Sequence, residues 1–145
     1  MESDIPILLV EDNNIDIQNV QRAFKRQNVK NPLHIVHNGK EALEYLSGDE
    51  DGKNKSKSLP GVILLDLEMP IMNGKELLKA IKADSALRKI PVVVFTTSSA
   101  KGDIEDSYQH FAAGYIVKPV RFSDFVEVVG QFGAYWNQNT TPADI

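Results

Sequence analysis

The chain has 145 residues, enough for one core but not two, and 16 Lys and Arg against 20 Asp and Glu leave a formal net charge of −4. A composition 42% hydrophobic and 25% charged argues against a disordered chain, and the missing basic excess argues against a general nucleic-acid binder. With no cysteine and 3 His, disulfides, thiol nucleophiles and Cys-ligated metal centres are excluded, and a histidine zinc site is poorly supplied.

Pro6 to Val10 (PILLV) is a short apolar run stopped by Glu11-Asp12-Asn13-Asn14, the signature of a strand buried on both faces. Ile17, Val20, Ala23 and Phe24 then recur at helical spacing, closing near Asn28. Leu33 to Val36 is a second strand, and Ala42, Leu43 and Leu46 mark a short amphipathic helix. Gly48 to Ser58 has no aliphatic or aromatic side chain and balanced charge, so it reads as a mobile surface loop. Val62 to Leu65 is a third strand ending at Asp66, followed by a helix carrying Leu77, Leu78 and Ile81. Pro91 to Phe95 is a fourth, ending at Thr96-Thr97-Ser98, and a weaker helix with Ile104, Tyr108 and Phe111 follows. Gly114 to Val117 is a fifth, running into Lys118-Pro119. The last helix carries Phe122, Phe125, Val126, Val129 and Phe132, with Tyr135-Trp136 beyond it. No apolar run approaches the ~20 residues of a membrane span. The N-terminus lacks the basic flank of a signal peptide, so no membrane contact and a cytoplasmic location are expected.

Strands alternating with helices predict an α/β fold, a doubly wound five-stranded parallel sheet covered by five helices. The reading is one domain over 1–145, with a core of about 5–136 and a short polar tail at 137–145. In such sheets functional groups gather at the carboxyl ends of the strands. Those ends carry Glu11 and Asp12, Asp66, Thr96, and Lys118. Three carboxylates at one rim repel one another unless a cation sits among them, and the hard cation suited to an incomplete oxygen cage is Mg²⁺. A lysine and a hydroxyl opposite suit an anion, as a phosphoryl group on a carboxylate would be.

Val10-Glu11-Asp12-Asn13, Leu65-Asp66 through Met69-Pro70 with Gly74, Thr96-Thr97, and Lys118-Pro119 resemble the four signatures of response-regulator receiver domains. The resemblance covers roughly residues 5 to 136 and implies a flavodoxin-like strand order 2-1-3-4-5. It implies Asp66 as phosphoacceptor, with Thr96 and Lys118 completing the catalytic set. Thr96 and Tyr115 would be the switch, and Thr97 the small residue that lets phosphodonors enter. Mg²⁺ would be held by Glu11, Asp12, Asp66 and the backbone carbonyl of Glu68. The Lys118–Pro119 peptide would be cis. The implied function is a phosphorelay receiver, not an enzyme acting on other substrates, served by a sensor histidine kinase or a phosphotransfer protein. The 48–58 loop and the aromatic C-terminus resemble stand-alone receivers that partner bacterial phytochromes; a chemotaxis-type motor-binding role is the alternative. With no globular segment after Trp136, output by protein–protein contact is expected.

Two other classes fit less well. A haloacid-dehalogenase-like phosphatase places a second Asp two residues after its nucleophile, where this chain has Glu68. A flavodoxin-like binding module needs a Ser/Thr/Gly-rich phosphate loop after strand one, where Glu11-Asp12 would repel phosphate. Finally, Tyr135 and Trp136 lie past the expected core, which points to a two-fold homodimer through the helix 4–strand 5–helix 5 face.

Overall fold

Each aliphatic run forms a strand: β1 (Ile7–Val10), β2 (Leu33–Val36), β3 (Val62–Leu65), β4 (Val92–Thr96) and β5 (Gly114–Val117). The computed structural model, which describes residues 1–48 and 59–145, joins them in one parallel sheet of order β2-β1-β3-β4-β5. β1, β3 and β4 are buried on both faces and are wholly apolar up to Thr96, whereas β2 and β5 are partly exposed edges. The polar alternation of a half-exposed sheet is therefore missing from the central strands.

The intervening segments form α1 (Asn14–Arg26), α2 (Gly39–Ser47), α3 (Gly74–Ala83), α4 (Lys101–Gln109) and α5 (Phe122–Gln138). Alternate strand residues feed two cores. Leu8, Val10, Ile63, Leu65, Val92 and Val94 pack under α2 and α3. Ile7, Leu9, Val62, Leu64, Val93 and Phe95 pack under α1 and α5. Three helices start on asparagine caps: Asn13 accepts from the N–H groups of Ile15 and Asp16, Asn38 from Glu41, and Asn73 from Glu76.

Two glycines are required by close approach. A Cβ on Gly74 would lie 2.2 Å from the carbonyl oxygen of Asp66, and one on Gly39 would lie 2.6 Å from that of Met72. Their N–H groups instead donate to Leu67 and Met72, each at 3.0 Å. These contacts brace the β3–α3 loop, where Ile71 and Met72 hold left-handed backbone at φ 46° and 66°, conformations that cost a non-glycine of order 1–3 kcal/mol.

The sequence expectations need correction at three points, on α4, at the end of the last helix and at the Lys118–Pro119 peptide. The apolar stripe expected on α4 is not buried: Tyr108 and Phe111 are 50% and 74% exposed, and Ser107 is the one buried residue of that helix. α4 leads into the edge strand β5, so little sheet remains to cover it. The last helix continues through Tyr135 and Trp136 to Gln138, and Trp136 packs against the α1–α5 core while Tyr135 stays exposed. The polar tail ends in a 3-10 turn at Pro142–Asp144, with Thr141 buried. Among the described residues no peptide is cis, so Lys118–Pro119 is trans; the two forms of an X–Pro bond differ by only ~0.5–1 kcal/mol, which sequence cannot resolve. Residues 49–58 of the expected loop lie outside the described residues. Among the described residues no helix is long and apolar enough to cross a membrane.

Candidate functional site

Parallel register brings the expected groups to one rim. Val10 pairs with Leu65 and Leu65 with Val94, so Glu11 and Asp66 follow their strands at the same level. Asp66 N–H donates to the Val10 carbonyl, and Lys118 N–H to that of Thr96. The order reverses between β1 and β3, and doubly wound sheets bind ligands at such a crossing.

Carboxylate oxygens of Glu11, Asp12 and Asp66 lie within 4.8 Å of one another. Glu11 and Asp66 are buried and Asp12 is exposed, so the cluster opens to solvent on one side. Burial pushes the Glu11 carboxyl up to about 7 and Asp66 adds to the rise, against the lowering pull of Lys118. Hard oxygen donors in an open, electron-rich corner fit Mg²⁺, which keeps several of its waters. Glu68 lies exposed at the rim, and its N–H donates to Asp66 Oδ1 at 3.3 Å.

Lys118 is buried among carboxylates. Its Nζ lies 2.9 Å from Glu11 Oε2, 2.8 Å from Asp16 Oδ2 and 3.5 Å from Asp66 Oδ2. Burial opposes the charge, but the hydrogen bonds to Asp16 and Glu11 prevail and hold the ammonium above its ordinary pKa. Asp16 is the site residue that sequence reasoning missed. Its signal was the Asn13-to-Asp16 spacing: a cap at Asn13 makes Asp16 the third helical residue, whose side chain turns back toward the first turn.

Thr96 closes β4 with its hydroxyl fully buried, and among the described residues Oγ1 has no hydrogen-bond partner. Such an orphan costs ~1–3 kcal/mol. Thr97 next to it is exposed. Tyr115 is half-buried on β5, and its hydroxyl donates to the Ser98 carbonyl at 2.8 Å. Burial pushes that phenol up. The Ser98 hydroxyl donates to Asp103 Oδ2 at 2.5 Å, and Lys75 Nζ sits 2.5 Å from Asp103 Oδ1. A chain of polar contacts thus runs from the α3 N-terminus through α4 to the aromatic of β5.

Fold and rim together place the chain among flavodoxin-like signalling proteins rather than flavin binders, because Glu11 and Asp12 stand where a phosphate loop would have to be. The chain belongs to the response regulator receiver domain family, which matches residues 7–130. It is 40% identical over 140 residues to the probable methanogenesis regulatory protein FilR2 of Methanothrix harundinacea, covering 94% of this chain and 88% of that protein. It is 34% identical to the response regulator Rcp1 of Synechocystis, covering 93% of this chain and 90% of Rcp1. The crystal structure of the phosphorylated cyanobacterial phytochrome response regulator RcpA matches with a TM-score of 0.87 at 37% identity, over 96% of this chain and 99% of that one. The Mn²⁺-bound form of Rcp1 matches with a TM-score of 0.86 at 34% identity, over 95% of this chain and 99% of that one. The chain is therefore a two-component signalling protein of a family that binds divalent metal.

Proposed function

We propose that Asp66 accepts a phosphoryl group from a phosphohistidine on a sensor histidine kinase or phosphotransfer protein. The observation that carries this is the position of Asp66: buried at the end of the central strand, beside a committed ammonium and two further carboxylates. An Asp66 oxygen attacks phosphorus, the O–P bond forms as the P–N bond breaks, and the imidazole leaves with the electron pair. Thr96 Oγ1 donates to a phosphoryl oxygen, and Lys118 pairs with another. Glu11, Asp12, Asp66 and the Glu68 carbonyl would hold Mg²⁺, which supplies charge neutralisation at the transferring group. Attack of water on phosphorus later returns Asp66 to its free form, and the exposed Glu68 carboxylate stands near that path, so Glu68→Asn should change the decay rate.

The relatives support this reading: RcpA is described as phosphorylated and Rcp1 as Mn²⁺-bound. A phytochrome-type kinase is the donor that the description of RcpA as a phytochrome response regulator favours, and a cytoplasmic single receiver over 1–145 is the matching organisation. Ile15, Ile71 and Val120, exposed by 68%, 66% and 102%, lie on the loops and first turn flanking the acids and offer apolar contacts to the donor. The decisive experiment incubates wild type and Asp66→Asn with acetyl phosphate and Mg²⁺ and measures intact mass. One added phosphoryl group on wild type alone is expected; equal uptake by both overturns the assignment.

The α4–β5–α5 face supports a homodimer. Tyr108, Phe111, Val117 and Tyr135 are 50%, 74%, 42% and 61% exposed there, a set of apolar side chains beside an edge strand. Movement of Thr96 and Tyr115 on phosphorylation would reshape that face. Sedimentation with and without beryllofluoride tests this: a species that dimerises more strongly with the mimic is expected, and a monomer at tens of micromolar in both states refutes it.

A further inference from the structure

We propose that Asp16 is a positioning residue that holds Lys118 short of hydrogen-bond contact with the acceptor, and so weakens the site's grip on any anion bound at Asp66. This rests on the reading of Asp66 as phosphoacceptor. An ammonium has three protons to give. Here its two short contacts go to Asp16 at 2.8 Å and Glu11 at 2.9 Å, while Asp66 lies at 3.5 Å, beyond a good hydrogen bond. Asp16 is well placed to keep that claim. Its own N–H is fixed by the Asn13 cap at 3.0 Å, its carboxylate is three-quarters buried, and the first turn of α1 favours its negative charge.

Asp16 also stands outside the carboxylate cluster that can gather around a cation, which consists of Glu11, Asp12 and Asp66. Its charge is therefore compensated by Lys118, whereas Glu11 can exchange the lysine for a metal. An anion on Asp66 draws the ammonium toward its new oxygens. Glu11 can release Lys118 to that anion without being left uncompensated; Asp16 cannot. Asp16 is thus the counter-ion that competes with the phosphoryl group for the same lysine.

The test is the affinity for beryllofluoride at saturating Mg²⁺, followed by amide resonances of the β3–α3 loop, in wild type, Asp16→Asn and Asp16→Glu. Loss of the competing charge in Asp16→Asn should tighten binding about fivefold, the upper range for a partly exposed ion pair. Asp16→Glu, which keeps the charge, should remain nearer wild type. An Asp16→Asn affinity equal to or weaker than wild type overturns the inference. A second measurement needs no variant: the Asp16 side-chain carboxyl carbon of the wild type should shift on beryllofluoride binding as its lysine departs, and an unmoved resonance overturns it too. A wild type that binds no beryllofluoride at all, by contrast, refutes the acceptor reading rather than the role of Asp16.

Discussion

Asp66 is flanked by two groups treated in opposite ways. On the β1 side Lys118 is surrounded by carboxylates from Glu11, Asp16 and Asp66 itself. On the β4 side the Thr96 hydroxyl is as deeply buried, yet among the described residues nothing bonds its oxygen. Burial raises the cost of an uncompensated charge far more than that of an unpaired hydroxyl. The lysine must therefore be paired before any ligand arrives, whereas the threonine can wait for its partner. Charge fixes one half of the site in advance, and a tolerable deficit leaves the other half ready to respond.

That contrast breaks most visibly at Lys118. Lys118→Met leaves buried carboxylates facing one another, and urea unfolding of metal-free protein at pH 8 should show a loss of about 3–5 kcal/mol. Thr96→Val should do the reverse. Replacing an unsatisfied hydroxyl by a methyl of similar shape should stabilise the fold by about 1 kcal/mol while weakening beryllofluoride binding; destabilisation would show that the hydroxyl already has a partner.

Proton linkage gives a third, smaller effect. The Glu11 carboxyl rises from 4.5 to about 7 on folding, so the folded state holds its proton over that interval while the unfolded chain releases it. The stability it contributes is full below pH 4.5 and is lost as pH rises through 7. Thermal melting with chelator should fall by a few degrees across this window, and added Mg²⁺ should raise the melting temperature at the upper end. The smallest change is expected at Asp103. Its pair with Lys75 is partly exposed, so Asp103→Asn should cost less than about 1 kcal/mol, yet it should loosen Ser98 and alter the Tyr115 ring resonances.

Much of this was legible in the sequence because a parallel sheet sends every strand's carboxyl end to one rim. Reading Glu11, Asp12, Asp66, Thr96 and Lys118 as strand-end residues was enough to gather them, and the strand order followed from the family resemblance. What stayed hidden depends on rotation and cover rather than on order along the chain. Asp16 looks like any acid favoured in a first helical turn, and only the azimuth of α1 aims it at Lys118. Tyr108 and Phe111 have helical spacing but no sheet above them. Trp136 was expected past the core, but α5 runs long enough to fold it back onto the α1 side.

The fit of Gly74 against the peptide of Asp66 bears on how a signal can leave the site. With the helix backbone packed directly behind the Asp66 carbonyl, that peptide has no room to move toward α3. Displacement of the Asp66 peptide in that direction would drive it into Gly74. The yielding path lies on the far side, where the Thr96 hydroxyl is unbonded among the described residues and a single hydrogen bond holds Tyr115 to the Ser98 carbonyl. A cantilever works the same way: one end is clamped so that all the displacement appears at the other.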